Sequence, residues 1–267
     1  MTSDAAQPGL RVEQIVVDLR RLGLRPGMDV LVHSSLSSLG WVEGGAATVV
    51  AALIEAVSPG GTVLFPGLTG SPEDGPAHPP VMDVRHTPCA PWVGVIPETA
   101  RRWPGACRSL HPTHSVIAIG ARAARWTEGH ERCATPCGEG SPYVRLMDEG
   151  GFILLLGCSQ ESNTSLHALE ELAGVPYHLQ PAQTTAVVID RCGRQHQVTG
   201  WLHQWGWERR FSRVDGLLRD AGVMREGMVG RATARLIDAE GLRRVVLPIL
   251  QRDPLFLLAD QARHRLR

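Results

Sequence analysis

A histidine follows the most apolar segment of the chain at a spacing suited to base catalysis. The segment GFILLL, residues 151–156, leads into a polar stretch that contains Glu161 and then His167. Ser162 or Asn163 is a natural N-cap, which places His167 about one turn into a helix. The positive helix end disfavours an imidazolium ion, whereas a nearby carboxylate such as Glu161 favours it. A neutral imidazole oriented by Glu161 suits a general base for an amine. Alternatively, His167 only packs and Glu161 is a solvated loop acid.

Two further polar clusters are suited to binding an anionic ligand. The first is a turn whose hydroxyls and backbone N–H groups can contact a phosphate or pyrophosphate, and it contains His33, Ser34, Ser35, Leu36, Ser37 and Gly40. The second precedes another apolar segment and contains Arg108, Ser109 and His111. Arg108 is suited either to a phosphate or to a structural carboxylate.

Other side chains allow different chemistry. Cys158 ends the same apolar segment, and a helix N-terminus can activate a thiol for an acyl-enzyme route. His111 and His114 form an H-x-x-H pair that raises the alternative of a zinc hydrolase. Because Pro112 breaks any helix there and no acid separates the two histidines, we expect no metal.

The elements that position these groups alternate along the chain. Apolar periodicity predicts helices over 11–22, 46–57, 93–102, 121–128, 164–173, 208–221 and 239–251. Strands are predicted over 29–34, 62–66, 115–119, 151–156, 182–189 and 195–202, the last two forming a hairpin. This order indicates an α/β fold in which helices cover both faces of a mixed, largely parallel sheet. Residues 67–91 form a long loop rich in Pro and Gly, and a loop of that length is usually functional.

The composition limits the class of protein. A chain of 267 residues suits one domain over 1–267, with residues 1–9 flexible. The 27 basic and 27 acidic residues give a formal net charge of zero, which provides no general attraction for nucleic acid or an anionic membrane. The sequence contains neither a secretion signal nor an apolar run of about 18 residues, and its six cysteines are scattered. We therefore expect a cytoplasmic protein with reduced thiols.

Several motifs together resemble the aminoglycoside 3-N-acetyltransferase family. They occur in the family's order over roughly residues 10–260: LVHSSLSSLG (31–40), PGGTVLFPG (59–67), PGACRSLHPTHS (104–115), GEGSPY (138–143), LLLGCSQESNTSLHALEELAGVPY (154–177), EGMVGRATARL (226–236) and RDPLFLL (252–258). The resemblance implies a three-layer α/β/α fold unrelated to the GNAT acetyltransferases. It also implies that acetyl-CoA is the acetyl donor. The 3-amino group of a 2-deoxystreptamine aminoglycoside then attacks its thioester directly.

The resemblance also assigns roles to residues. The family's catalytic histidine corresponds to His167, its orienting acid to Glu161, and Thr164 matches a threonine suited to the oxyanion. The turn at 33–40 and the segment 108–111 match the region that binds CoA. Relatives often carry acids in the stretch that here reads Leu202–Trp205, so we expect a less acidic acceptor site than theirs. Asp215 falls where relatives keep an Asp. The other candidates for the acceptor site are Glu73, Asp74, Asp83, His203 and Trp205.

Two alternatives remain open within the resemblance. The acceptor is an amine other than an aminoglycoside, or the chain binds CoA without transferring acetyl. In either case we expect a small-molecule ligand, no nucleic-acid or membrane partner, and a monomer or homodimer.

Overall fold

The computed structural model describes residues 9–266, so the predicted flexible segment 1–9 lies outside the described residues except for Gly9. Within this range the main sheet has seven strands in the order β4-β5-β2-β1-β6-β10-β9. They are β1 (Asp29–Ser34), β2 (Thr62–Pro66), β4 (Cys107–Arg108), β5 (Val116–Gly120), β6 (Phe152–Leu156), β9 (Met224–Val229) and β10 (Ala232–Asp238). A second sheet, of order β3-β7-β8, contains β3 (Val81–Asp83), β7 (Leu179–Ile189) and β8 (Gln195–His203).

Parallel pairing is limited to the centre of the main sheet. Strand β1 pairs in parallel with β2 and with β6, whereas the four pairs towards the two edges are antiparallel. The prediction of a mixed sheet is therefore confirmed, but its parallel part is smaller than expected. Two of the four antiparallel pairs involve the hairpin β9–β10, for which the sequence predicts no element, and the other two involve β5.

Helices cover both faces of the main sheet, which confirms the three-layer arrangement. One layer contains α1 (Val12–Leu22), α2 (Ala46–Val57) and α3 (Val95–Arg101). The opposite layer contains α4 (Ala123–Thr127), α5 (Pro142–Asp148), α6 (Thr164–Leu172), α7 (Val214–Asp220), α8 (Ala239–Arg252) and α9 (Asp260–Leu266). Strand side chains alternate between the two cores: Leu154 packs in the first and Leu155 in the second.

The predicted hairpin forms, but it belongs to the second sheet. Strands β7 and β8 pair antiparallel from Ile189 and Gln195 at the turn onwards. Strand β3 from the long loop pairs in parallel with β7. Met82, Val188 and Val198 form a small core of their own there.

The predicted helix over 208–221 is wrong in its first half, because helix α7 begins only at Val214. The backbone N–H groups before it have other partners. Arg210 donates to the carbonyl of Leu257, and Phe211 and Ser212 donate to the carboxylate of Glu161. These contacts hold the segment in an extended form and then a single 3₁₀ turn.

The parallel centre of the sheet brings the candidate groups to one edge. Strands β1 and β6 are neighbours, so the turn after Ser34 and the segment after Leu156 leave the sheet side by side. Ligands of open α/β sheets bind at such carboxyl ends. Among residues 9–266, no helix is long and apolar enough to cross a membrane.

Candidate active site

Helix α6 positions His167 through a buried N-terminal cap. The side chain of Asn163 accepts a hydrogen bond from the backbone N–H of Ser165 at 3.1 Å, which confirms the expected N-cap. Its amide donates to Gln160 Oε1 at 2.9 Å, and Gln160 donates to Asp215 Oδ1 at 3.1 Å. This chain of contacts fixes the first turn of α6 and hence the direction of the His167 side chain.

The acid that orients His167 is Glu170, not Glu161. Nδ1 of His167 lies 2.6 Å from Glu170 Oε2, one helical turn further along the same face of α6. The carboxylate of Glu161 instead accepts hydrogen bonds from the backbone N–H groups of Phe211 at 3.1 Å and Ser212 at 2.9 Å. The prediction that Glu161 orients His167 is therefore wrong. Its carboxylate instead accepts from backbone N–H groups at the start of the 211–220 segment, which no other side chain among the described residues caps.

Glu170 is a fully buried carboxylate that is kept ionised by its neighbours. Burial raises its pKa, but His178, His167 and Arg209 together lower the pKa to about 2. Arg209 Nε lies 3.4 Å from Glu170 Oε1, and His178 Nδ1 lies 3.1 Å from Oε2. A charged acid is thus available at His167 near neutral pH.

His167 is neutral near physiological pH. Burial lowers its pKa to about 4, and this effect outweighs the contact with Glu170, which raises it. A neutral ring that donates its Nδ1 proton to Glu170 has an unprotonated Nε2. The ring stacks on His178 with centroids 5.0 Å apart and meets the edge of Phe211 at 5.1 Å. These contacts hold the ring in the orientation that a base requires.

The first cavity opens beside His167 and has a volume of about 500 Å³. Thr164, the first residue of α6, is nearly buried and lines it. Much of the remaining wall is aromatic or imidazole, and it includes Trp92, His114, His203, Trp205, Trp207 and Phe211. Of the six predicted acceptor-site residues, His203 and Trp205 lie in this wall.

The four predicted acids lie elsewhere. Asp74 caps its own turn by accepting from the backbone N–H of Ser71 at 2.7 Å, and Asp83 accepts from the backbone N–H of Arg85 at 2.8 Å. Asp215 is bonded to Gln160, and Glu73 is exposed. None of the four lines the first cavity, and their role in acceptor binding stays a prediction. The acid in its wall is Glu161.

A second cavity of about 610 Å³ adjoins the first and contains most of the predicted CoA turn. Ser34, Ser35, Leu36, Ser37 and Gly40 line it, together with Trp41 and Cys158. Ser34, Trp92, Val93 and Ser162 line both cavities, which therefore meet at these side chains. The buried hydroxyl of Ser34, at this junction, has no hydrogen-bond partner among the described residues.

His33 lies on the other side of this junction. It lines the first cavity, and its buried Nε2 likewise has no partner in residues 9–266. Burial, with a smaller contribution from the nearby His167, lowers the pKa of His33 to about 3. A neutral His33 offers a hydrogen bond without placing positive charge beside the base.

The residues of the second predicted CoA cluster make internal contacts. Arg108 is buried and donates to Ser115 Oγ at 2.9 Å, to the carbonyl of Gly67 at 2.9 Å and to that of Thr87. Its guanidinium joins the long loop to β5, and Arg108 lines neither of the two cavities. Ser109 and His111 are also buried. Ser109 contacts His130 Nδ1 at 2.9 Å, and His111 Nδ1 accepts from the backbone N–H groups of Thr113 and His114. None of the three lines the second cavity, and their cofactor role stays a prediction.

Cys158 lines the second cavity as a protonated thiol. Burial raises its pKa to about 11. The thiolate that an acyl-enzyme route requires is therefore scarce at neutral pH. The geometry favours the direct route over the cysteine alternative.

Sequence reasoning missed several side chains of the site. Glu170 was detectable, because an i,i+3 histidine–glutamate pair on a predicted helix shares one face. His178, Arg209 and Trp92 approach from distant parts of the chain, and no local pattern marks them. His178 is buried between Glu170 and Glu171, and Arg209 Nη2 lies 2.9 Å from its Nδ1.

Known proteins with similar sequences and structures belong to one family. The family model described as aminoglycoside 3-N-acetyltransferase matches residues 31–251. Aminoglycoside N(3)-acetyltransferase III of Serratia marcescens is 33% identical over 252 residues, covering 86% of this chain and 93% of its own length.

Two solved structures are similar over most of their length. A histidine-to-alanine variant of the aminoglycoside acetyltransferase AAC(3)-IVa, in complex with a gentamicin, has a TM-score of 0.81 and 30% identity, covering 97% of this chain and 95% of its own. AAC-IIIb in binary complex with CoASH has a TM-score of 0.76 and 28% identity, covering 92% of this chain and 97% of its own. The predicted three-layer fold, distinct from that of the GNAT acetyltransferases, is confirmed.

Proposed function

The chain belongs to the aminoglycoside 3-N-acetyltransferase family, and we propose that it performs that family's reaction with His167 as the general base. It is an acyltransferase that moves the acetyl group of acetyl-CoA to the 3-amino group of an aminoglycoside. The observation that carries the role of His167 is its 2.6 Å contact with the buried, ionised Glu170, which leaves Nε2 free at the cavity.

The two adjoining cavities support a division between donor and acceptor. We assign acetyl-CoA to the second cavity, where the Ser35–Gly40 turn offers hydroxyls and backbone N–H groups. The acceptor occupies the first cavity beside His167. The thioester then lies at the junction, next to the unpartnered hydroxyl of Ser34.

The reaction needs one proton transfer at His167. The acceptor nitrogen attacks the thioester carbonyl while Nε2 of His167 takes its proton, and the resulting imidazolium is stabilised by Glu170. The C–N bond forms, the C–S bond breaks, and CoA leaves with the proton that His167 returns. The hydroxyl of Thr164, which lines the first cavity, donates to the oxyanion of the tetrahedral intermediate.

The side chains that line the first cavity determine which amines can bind there. Glu161, held by two backbone N–H groups, offers one fixed carboxylate to an ammonium group of the acceptor. Trp92, Trp205, Trp207 and Phe211 offer ring faces for a sugar face or an ammonium group. With one acid and the cation of Arg209 in its wall, this cavity also suits an amine with fewer positive charges than an aminoglycoside, which is our second candidate acceptor.

The test compares His167→Ala and His167→Gln with the wild-type enzyme on an aminoglycoside panel and on amines with one positive charge. We expect each variant to lose about 10²–10⁴-fold in kcat while its affinity for CoA, measured by calorimetry, stays within a few-fold. His86→Gln, a change at an exposed histidine of the long loop, serves as the matched control. Turnover of the His167 variants near the wild-type rate would refute the base role.

A further inference from the structure

Three potential metal ligands meet behind the wall of the first cavity. His114 precedes β5, Cys137 lies in the loop before α5, and His203 ends β8. One ligand atom of each, two ring nitrogens and a sulfur, lies within 4.8 Å of the other two. Cys137 is fully buried, and His114 and His203 are nearly so and also line the cavity. The reaction assigns no role to any of the three.

In each of the two histidines, one ring nitrogen already contacts an oxygen at hydrogen-bond distance, as is usual for histidines that bind a metal. Nδ1 of His114 lies 3.0 Å from Thr113 Oγ1, and Nε2 of His203 lies 2.6 Å from Glu171 Oε1. A histidine that binds a metal through one nitrogen usually donates the other N–H to such an oxygen, which fixes its tautomer. Metal binding through the other nitrogen of each ring, Nε2 of His114 and Nδ1 of His203, leaves both of these hydrogen bonds in place.

Glu171 places a buried carboxylate beside the same three residues. Its side chain is 1% exposed, and it accepts from the backbone N–H of Cys137 at 3.0 Å as well as from His203. Within residues 9–266, no arginine forms an ion pair with it; its charged-group contacts are with His178 and His203. A buried carboxylate without a permanent cation is costly, and a bound divalent ion close by offsets that cost.

A rival triad, His167, His178 and His203, also has its ligand atoms within 4.8 Å of one another. It is less suitable because His178 Nδ1 already has two partners, Arg209 Nη2 at 2.9 Å and Glu170 Oε2 at 3.1 Å. The guanidinium also repels a metal ion there. The set with Cys137 has no arginine in contact with its ligand atoms among the described residues, and it provides a thiolate, which zinc prefers.

We propose that His114, Cys137 and His203 form a binding site for a divalent ion of the zinc type, with the fourth coordination position open to the first cavity. Binding forms a sulfur–metal bond and releases the Cys137 S–H proton to solvent. Bond lengths of about 2.0–2.3 Å to zinc bring tetrahedral ligand atoms to roughly 3.5 Å apart, so small side-chain shifts close the site. The ion has no part in the proposed reaction, although the site adjoins the acceptor cavity and the ring of His203 lies 5.1 Å from that of His167.

The test is a titration of the metal-free enzyme with Co²⁺, which replaces zinc and reports its ligands by absorption. We expect one equivalent to produce a thiolate-to-cobalt charge-transfer band together with the strong visible bands of a four-coordinate ion, and Zn²⁺ to abolish both by displacement. Cys137→Ser should lose the charge-transfer band. Cys133→Ser, a change at a second buried cysteine of the same loop, should keep it.

Further variants test the carboxylate and guard against misfolding. Glu171→Gln should retain the band with an affinity about 10–100-fold lower, since it changes a group that orients the ligands. Circular dichroism of each variant checks its fold. Failure of the wild-type enzyme to show a charge-transfer band at saturating Co²⁺ would overturn the proposal without any variant, as would an unchanged band in folded Cys137→Ser.

Discussion

At the scale of single residues, the two glutamates near His167 have different environments and should have different functions. Glu170 is buried and lies 2.6 Å from Nδ1, whereas Glu161 is exposed and holds two backbone N–H groups. Both are acids that follow β6 in sequence, so the contrast between them isolates the effect of position.

We expect Glu170→Gln to lower kcat by about 10²–10⁴-fold, because an amide can stabilise the wrong tautomer of His167 and cannot balance the imidazolium. Glu161→Gln should leave kcat within a few-fold and raise the KM of a cationic acceptor. Steady-state kinetics with both substrates varied measure these effects. A loss of kcat confined to Glu161→Gln would reverse our assignment of the two acids.

Cys158 is the one candidate nucleophile that the sequence analysis raised for an acyl-enzyme route. Its thiol pKa is raised by burial to about 11, so it is not needed as a nucleophile. Cys158→Ser should retain kcat within a few-fold, and mass spectrometry during turnover should find no acetylated cysteine. An acetyl-enzyme that forms and decays at the rate of turnover would contradict direct transfer.

The sequence revealed the base but not all of its environment. His167 was predictable because a buried strand, a capping residue and a helix are all local signals. The contacts of Arg108 were not predictable, because the carbonyls that bind it, those of Gly67 and Thr87, belong to a loop far away in the chain. Whether a polar side chain is free or saturated depends on such distant contacts, which spacing does not encode.

At the scale of elements, β1, β2 and α2 have the predicted bounds because each is an apolar run between turn residues. The hairpin β9–β10 was missed because charged residues interrupt its apolar alternation, as in Arg225, Glu226 and Arg235. Its Gly230–Arg231 connection has the length of a tight turn, and Gly230 has a φ of +56°.

Helix α3 holds the long loop through one carboxylate. Glu98 accepts from Arg101 and from the backbone N–H of Cys89 at 3.0 Å, and Leu68 and Gly70 of this loop line the first cavity. The hydrogen bond from Arg101, with that from Cys89, lowers the pKa of Glu98 from 4.5 to about 2 despite partial burial.

The lowered pKa makes an acid-dependent stability prediction. The folded-state pKa lies below the unfolded value, so the stabilisation is complete above about pH 4.5 and is lost as the pH falls towards 2. We expect Glu98→Gln to remove on the order of 2 kcal/mol at neutral pH and to flatten the acid limb of a plot of Tm against pH. Glu73→Gln, a change at an exposed acid of the same loop, should leave the plot unchanged. If the Tm of Glu98→Gln and that of the wild type fell equally with decreasing pH, Glu98 would not link the loop to α3.

At the scale of the whole molecule, the two cavities draw on different parts of the fold. The second is lined by the turns after β1, the segment Trp92–Val95, and residues that follow β6. The first uses in addition the end of β8 and the segment that follows it, from His203 to Phe211. The second sheet thus contributes to the acceptor cavity and not to the donor cavity. Substitutions in the two cavities should therefore change the KM of different substrates.

Two exposed tryptophans provide a matched test of this division. Trp41 is 76% exposed and lines the second cavity, whereas Trp205 is 40% exposed, lines the first and meets Trp92 edge-on at 5.9 Å. A ring that stacks on a ligand or faces an ammonium contributes about 0.5–1.5 kcal/mol, equivalent to roughly a two- to tenfold change in KM. Trp205→Ala should raise the KM of the acceptor by that factor and leave that of acetyl-CoA unchanged, and Trp41→Ala should do the reverse. Trp92→Ala, at the junction, should raise both. If both outer variants changed the same KM, the two substrates would share one cavity and the division would be wrong.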